Sequence, residues 1–229
     1  MSIIDMNISL CVTSKNRTFF EHEDKNLNLF ENNINSITKT FSTIGCAYEY
    51  VIYDWGSTDT DYKWLPDTCR LIVNTTDNDK FSRGYGLNRA AEEAKYDNIL
   101  FLDTDMLITE SFILNCFEAL EHNMVYFPIC WSVGINERNQ CMDILGSEEL
   151  LSSDSVHTHP DVGGWRPTGK GISCMKKQIW EDVGKIPEYW RWGSEDGDFY
   201  GKIQSKGYDI KRENDCGLVH QWHPDARNM

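Results

Sequence analysis

Basic residues are scarce in this 229-residue chain: 22 Lys and Arg stand against 36 Asp and Glu, for a formal charge of −14. That imbalance argues against a nucleic-acid backbone or an anionic membrane as main partner, because the surface repels both. An anionic substrate would need local help, from a metal ion or from cations such as Lys80, Arg83 and Arg89. Long apolar runs are also missing. None reaches the ~18 residues needed to span a bilayer. The eight cysteines form no C-x-x-C pair and no dense spacing, which argues against a disulfide framework and for reduced thiols acting as small hydrophobes. The N-terminus lacks a basic region followed by an apolar stretch, so no signal peptide is visible and a soluble, cytoplasmic protein is the expectation. Internal repeats and low-complexity tracts are absent.

What is present suits one domain with a real core. Ile8–Thr13 alternates and predicts a first strand that ends in the polar turn Ser14-Lys15-Asn16-Arg17. Leu27, Phe30, Ile34, Ile37 and Phe41 recur at spacings of three and four, the signature of one helix face, and Gly45 is placed to stop that helix. Tyr50–Tyr53 and Leu71–Val73 predict further strands, and Leu87, Ala90, Ala91 and Ala94 a helix whose small residues lie close to a sheet. The run Ile99–Leu102 predicts a buried strand. Strands alternating with helices imply a three-layer α/β sandwich around a mixed, mostly parallel sheet, and ligands on such sheets gather at the carboxyl ends of the strands. Asn16, Asp54, Asp103 and Asp105 all fall at or just beyond such ends. In the second half, Phe112–Leu120 predicts a helix, Met124–Phe127 a strand, Ile179–Val183 a short helix, and 146–171 a long loop.

Two acidic sites carry the chemistry. Asp103-Thr104-Asp105 closes the apolar run, and strand alternation would point both aspartates the same way, as a pair able to hold a divalent cation. Oxygen ligands favour Mg²⁺ or Mn²⁺, and a histidine ligand tilts the choice toward Mn²⁺. The plain alternative is a solvated turn, which a buried preceding strand disfavours. Trp192-Gly193-Ser194-Glu195-Asp196 sets adjacent carboxylates at a helix start, where the amide dipoles favour negative charge and one carboxylate is left to take a proton. Ser194 can cap that helix. The alternative is ordinary helix-start electrostatics, but the flanking Tyr189, Trp190 and Trp192 suit the faces of a sugar. His220 and His223 are candidates to complete the metal site from the C-terminal end. His157 and His159 lack the Glu or Cys partner that a zinc site would need. A metal plus a base suggests group transfer to a hydroxyl.

Taken together, these motifs resemble the GT-A-fold glycosyltransferases, particularly the inverting family-2 type and the related catalytic domains of chondroitin polymerases and β-1,4-galactosyltransferases. The resemblance covers most of the chain, as a single catalytic domain over 1–229 with a nucleotide-sugar half (1–105) and an acceptor half (106–229). It implies that Thr13 and Asp54 meet the nucleotide, with Asn16 and Arg17 in the same first-strand motif, and that Trp55 replaces the usual acidic residue. Arg83 and Asn88 would contact the diphosphate or the metal motif. Asp103 and Asp105 match that motif, with Asp105 the direct ligand and His220 its partner. Glu195 and Trp192 would position the acceptor, Trp192 and Gly193 of the same motif would also line the donor site, and Asp196 would be the base. The donor implied is a nucleotide diphosphate sugar, most often a UDP sugar, the acceptor a hydroxyl of a glycan or other molecule, and the cofactor Mn²⁺ or Mg²⁺. A sugar nucleotidyltransferase shares the sheet and metal site but usually carries a Gly-rich loop near its first strand. A metal-free glycoside hydrolase and a catalytically silent carbohydrate-binding module of the same fold are the other readings.

Overall fold

The computed structural model describes residues 6–23, 25–74, 80–147, 156, 161–191 and 193–224. The chain enters through β1 (Asn7–Ser14), makes a short hairpin of β2 (Phe20–His22) and β3 (Lys25–Leu27), and continues into α1 (Leu29–Ile44). Next come β4 (Ala47–Asp54), β5 (Cys69–Val73), α2 (Arg83–Glu92), β6 (Asn98–Phe101), β7 (Met106–Ile108) and α3 (Glu110–Glu121). The second half holds β8 (Val125–Tyr126), β9 (Ile129–Ser132), α4 (Cys141–Ile144), β10 (Gly164–Trp165), β11 (Ser173–Lys176) and α5 (Lys177–Asp182). It closes with α6 (Glu195–Ser205), β12 (Ile210–Lys211) and β13 (Asn214–His220).

Seven strands form the main sheet in the order β12-β8-β11-β6-β1-β4-β5. β1 runs parallel to both β4 and β6, and β11 alone runs against its neighbours. One face is covered by α1 and α3, where Phe30, Ile34, Ile37 and Phe41 meet Phe112, Cys116 and Phe117. The other is covered by α2, α5 and α6 through Leu87, Ala90, Ala91, Trp180 and Phe199. Fully burying one such large side chain contributes about 1.5–3 kcal/mol. This is the three-layer sandwich that the alternation of elements implies. Gly45 ends α1 in the left-handed region at φ 75°, its N–H donating to the Phe41 carbonyl.

A second sheet, in the order β10-β9-β13-β7, was not apparent from the sequence, and no helix separates its first strand from the main sheet. The turn Asp103-Thr104-Asp105 carries the chain from β6 in one sheet to β7 in the other. β13 pairs antiparallel with β7 and parallel with β9, so the C-terminal strand lies beside that turn. Leu27 belongs to β3 rather than to the helix that its spacing suggested. Ser194 stands at the start of α6 at φ 79° and makes no side-chain cap. Its left-handed backbone does not give its hydroxyl the usual capping bond.

α2 lies unusually close to β1. A Cβ on Gly86 would come within 2.1 Å of Thr13 Oγ1, so no larger residue fits unless the helix moves. No helix among the described residues is long and apolar enough to cross a membrane.

Candidate active site

β6 ends at Phe101, so strand alternation does not extend to the aspartates, and the turn sends their carboxylates to different partners. Asp105 is 8 % exposed. His220 at the end of β13 and His223 just beyond it bring ring nitrogens to it, with Nε2 atoms 3.8 and 3.2 Å from Asp105 Oδ2. The ligand atoms of all three residues lie within 4.8 Å of one another. Asp103 instead takes Arg83, which donates from Nε at 2.9 Å and approaches with Nη2 at 2.8 Å.

The cluster has the features of a cation site. The Pro224 carbonyl, 2.7 Å from His223 Nδ1, can only accept, so it fixes the proton there and leaves the Nε2 lone pair facing Asp105 in the neutral ring. Something positive must lie between that nitrogen and the carboxylate, either a proton on Nε2 or a bound cation. His220 Nδ1 lies 3.2 Å from Ser132 Oγ on β9, and Asp105 Oδ1 is buried without a hydrogen-bond partner among the described residues. Burial alone would raise the Asp105 pKa, but His220, His223 and Arg17 hold it well below the usual carboxylate range. For His223, burial acts to lower the pKa, and the hydrogen bond to Asp105 and its charge outweigh burial and raise it. One carboxylate oxygen and two imidazole nitrogens form a donor set suited to a divalent transition ion. The residues present therefore fit a metal.

Around this cluster the positions read from the sequence divide into two groups. Arg17 stays close, with Nη1 3.8 Å from Asp105 Oδ2 and its guanidinium 5.4 Å from the Phe20 ring centre. The others are engaged in shaping loops. Asp54 accepts from the N–H groups of Gly56 and Ser57 (both 2.9 Å) and from the hydroxyls of Ser57 (2.5 Å) and Tyr62 (2.7 Å). Asn16, at φ 50°, accepts from Thr58 N–H at 2.8 Å. Thr13 Oγ1 donates to the Tyr53 carbonyl at 3.2 Å and accepts from the Trp55 indole at 2.9 Å. Trp55 itself is 5 % exposed and packs among Tyr53, Phe81, Tyr85 and Trp190.

Toward α6, Arg83 Nη2 donates to the Gly171 carbonyl at 2.8 Å, and Nη1 lies 3.8 Å from Glu195 Oε1. This half-buried cation thereby lies against the turn at Asp103, the loop at Gly171 and the first residue of α6. Asp196 is half-buried in the first turn of α6, where its Oδ1 accepts from Gly197 N–H (2.8 Å) and its Oδ2 from Lys170 N–H (3.4 Å). Gly193, at φ 84°, leads into the helix, and Trp192 lies outside the described residues, as do His157 and His159. Arg212 secures the loop before Lys170 by donating from Nη2 to the carbonyls of Pro167 (2.5 Å) and Gly169 (2.9 Å). Arg212, Ser132 and Gln221 escaped the sequence reading. Gln221 alone had a visible signal, its place between two candidate ligands.

A family model described as chondroitin N-acetylgalactosaminyltransferase matches residues 13–228. The chain belongs to that family. Human chondroitin sulfate synthase 3 is 31 % identical over 150 residues, which are 63 % of this chain and 16 % of that protein. Mouse chondroitin sulfate N-acetylgalactosaminyltransferase 1 is 27 % identical over 154 residues, 64 % of this chain and 28 % of that one. The chain thus spans well under a third of the length of the curated relatives it matches. Among solved structures, S. aureus TarS 1–349 in complex with UDP-GlcNAc aligns with a TM-score of 0.61 at 17 % identity, covering 95 % of this chain and 59 % of that one. The Pyrobaculum calidifontis mannosyltransferase in complex with GDP-Man and Mn²⁺ aligns with a TM-score of 0.56 at 16 % identity, covering 96 % and 58 %. The fold is GT-A, and the family is one of nucleotide-sugar-dependent glycosyltransferases. The expectation of a cytoplasmic protein is corrected by the same finding: it rested on a missing leader and scattered cysteines, and membership in a chondroitin-synthesising family does not point to the cytoplasm.

Proposed function

We propose that this chain is the catalytic domain of an inverting glycosyltransferase that moves a sugar from a UDP sugar to a hydroxyl of a glycan, with Mn²⁺ as cofactor. The observation that carries the reading is the Asp105, His220 and His223 cluster, whose ligand atoms lie within 4.8 Å of one another around a buried carboxylate and suit a divalent cation beside which a diphosphate would be bound. Mn²⁺ is favoured over Mg²⁺ by the two imidazole donors, and the Mn²⁺ in the Pyrobaculum calidifontis mannosyltransferase complex supports it. The UDP-GlcNAc bound by TarS supports uridine as the base, and the family's description supports N-acetylgalactosamine as the sugar. On this reading the donor would draw on more than residues 1–105, since both histidines come from the chain's other half.

Asp105, His220 and His223 would hold the ion, which when bound offsets negative charge developing on the leaving diphosphate. Arg17, beside Asp105, adds a fixed positive charge there in a protein that is otherwise strongly acidic. Asp196 accepts the proton of the acceptor hydroxyl as that oxygen bonds to the anomeric carbon from the face opposite the diphosphate. The bond from that carbon to the diphosphate oxygen breaks in the same step, which inverts the configuration. Glu195, held near Arg83, and Trp192 position the acceptor, while Arg83 keeps the turn and α6 in register. Asp54, Asn16 and Thr13 shape the wall against which the nucleotide lies.

The test is a thermal-shift and turnover panel of UDP and GDP sugars with and without Mn²⁺. Stabilisation by a UDP sugar only with the ion present, followed by slow release of UDP, supports the reading. Protection without turnover, in the presence of acceptor glycans, would favour a silent binding module instead.

A further inference from the structure

Gln221 stands between the two histidines and is 1 % exposed. Its backbone N–H donates to the Asp105 carbonyl at 3.0 Å, extending the ladder in which Val219 pairs with Leu107 and His220 with Met106. Its side chain reaches the other way along the chain. Nε2 donates to the Leu29 carbonyl and Oε1 accepts from Asn32 Nδ2, both at 2.9 Å, which ties it to the first turn of α1.

A buried amide used at both ends is costly to place unless each bond is made. Here the bonds run from the residue that follows one ligand and stands two before another, to the backbone of the third and to the start of α1. With His220 immediately before it and His223 two residues after it, both offering imidazoles to Asp105, any shift of Gln221 moves the two rings relative to that carboxylate.

We propose that Gln221 is the positioning residue of the metal centre: by joining Asp105 to the start of α1 it sets the spacing at which His220 and His223 meet a divalent cation. This rests on the metal reading above. It assigns to α1, an element with no ligand of its own, a part in metal affinity. Residues that orient ligands without touching the ion commonly matter about ten- to a hundredfold in affinity.

The experiment measures Mn²⁺ binding to the full chain by electron paramagnetic resonance, without nucleotide, at a temperature where every variant is folded. Gln221→Leu is expected to weaken Mn²⁺ binding about tenfold or more and to alter the line shape of the bound ion, while UDP binding without metal stays as in the wild type. Asn32→Ala, which removes one of the side-chain bonds, is expected to give a smaller loss in the same direction. It carries the test if Gln221→Leu fails to fold. Wild-type Mn²⁺ affinity and line shape in the folded variant would overturn the proposal. Failure of the wild-type chain to bind Mn²⁺ would overturn the metal reading and this inference with it.

Discussion

Asn88 and Ile186 are joined twice: the Asn88 amide donates to the Ile186 carbonyl at 2.9 Å and accepts from the Ile186 N–H at 3.1 Å. The same side chain donates to Glu188 Oε1 at 2.9 Å and accepts from the Trp180 indole at 3.1 Å. Two donors and two lone pairs are all that an asparagine has. Asn88 therefore has no capacity left for a diphosphate, and its work is to fasten the strand of chain that leads to the acidic helix.

Asn88→Ala is accordingly expected to leave buried polar groups unmatched and to cost about 2–3 kcal/mol in stability. Urea unfolding would read that loss. Kinetics should show a raised acceptor KM and a lowered kcat, with UDP binding nearly unchanged. A variant that weakens UDP binding selectively would return Asn88 to the diphosphate.

Asp196→Asn keeps the shape of the side chain and removes the base. Transfer should fall by roughly 10²–10⁴-fold, while donor binding in the presence of metal persists. Near-normal turnover would take Asp196 out of the role.

Asp105→Ala removes the central carboxylate from the cation cluster. Nucleotide binding to this variant should no longer respond to Mn²⁺, and the wild-type chain stripped with EDTA should behave the same way until the ion is returned. Equal affinity with and without Mn²⁺ in the wild type would count against the site.

Gly86→Ala probes the approach of α2 to β1. Its methyl group would fall 2.1 Å from Thr13 Oγ1 and 2.7 Å from Thr13 Cβ. Overpacking of this kind costs about 1–3 kcal/mol, so the melting temperature should drop measurably. An unchanged melting temperature would mean that the helix yields more easily than its close contacts indicate.

The first half of the fold was legible because its signals are long: eight-residue strands at Asn7–Ser14 and Ala47–Asp54 and a sixteen-residue helix with an evenly spaced apolar face. The second sheet was not, since strands such as Gly164–Trp165 and Met106–Ile108 are too short for alternation to establish a period. The candidate site shows the same limit. Residue types and motif order brought Asp105 and His220 onto one list, but which partner each aspartate takes depends on where β6 stops. That stop comes from pairing with β1 and β11, a tertiary matter. Gln221 was hidden for a related reason, because its partners lie 189 and 192 residues away.

The turn at Asp103-Thr104-Asp105 has Phe101 fixed in one sheet and Met106 fixed in the other, each by its own ladder. Such a link has no slack. Adding or deleting a single residue between Leu102 and Met106 would force one sheet to slide or would carry Asp105 away from its histidines and Asp103 away from Arg83. Length can vary only elsewhere, in loops that can grow without pulling on both sheets at once.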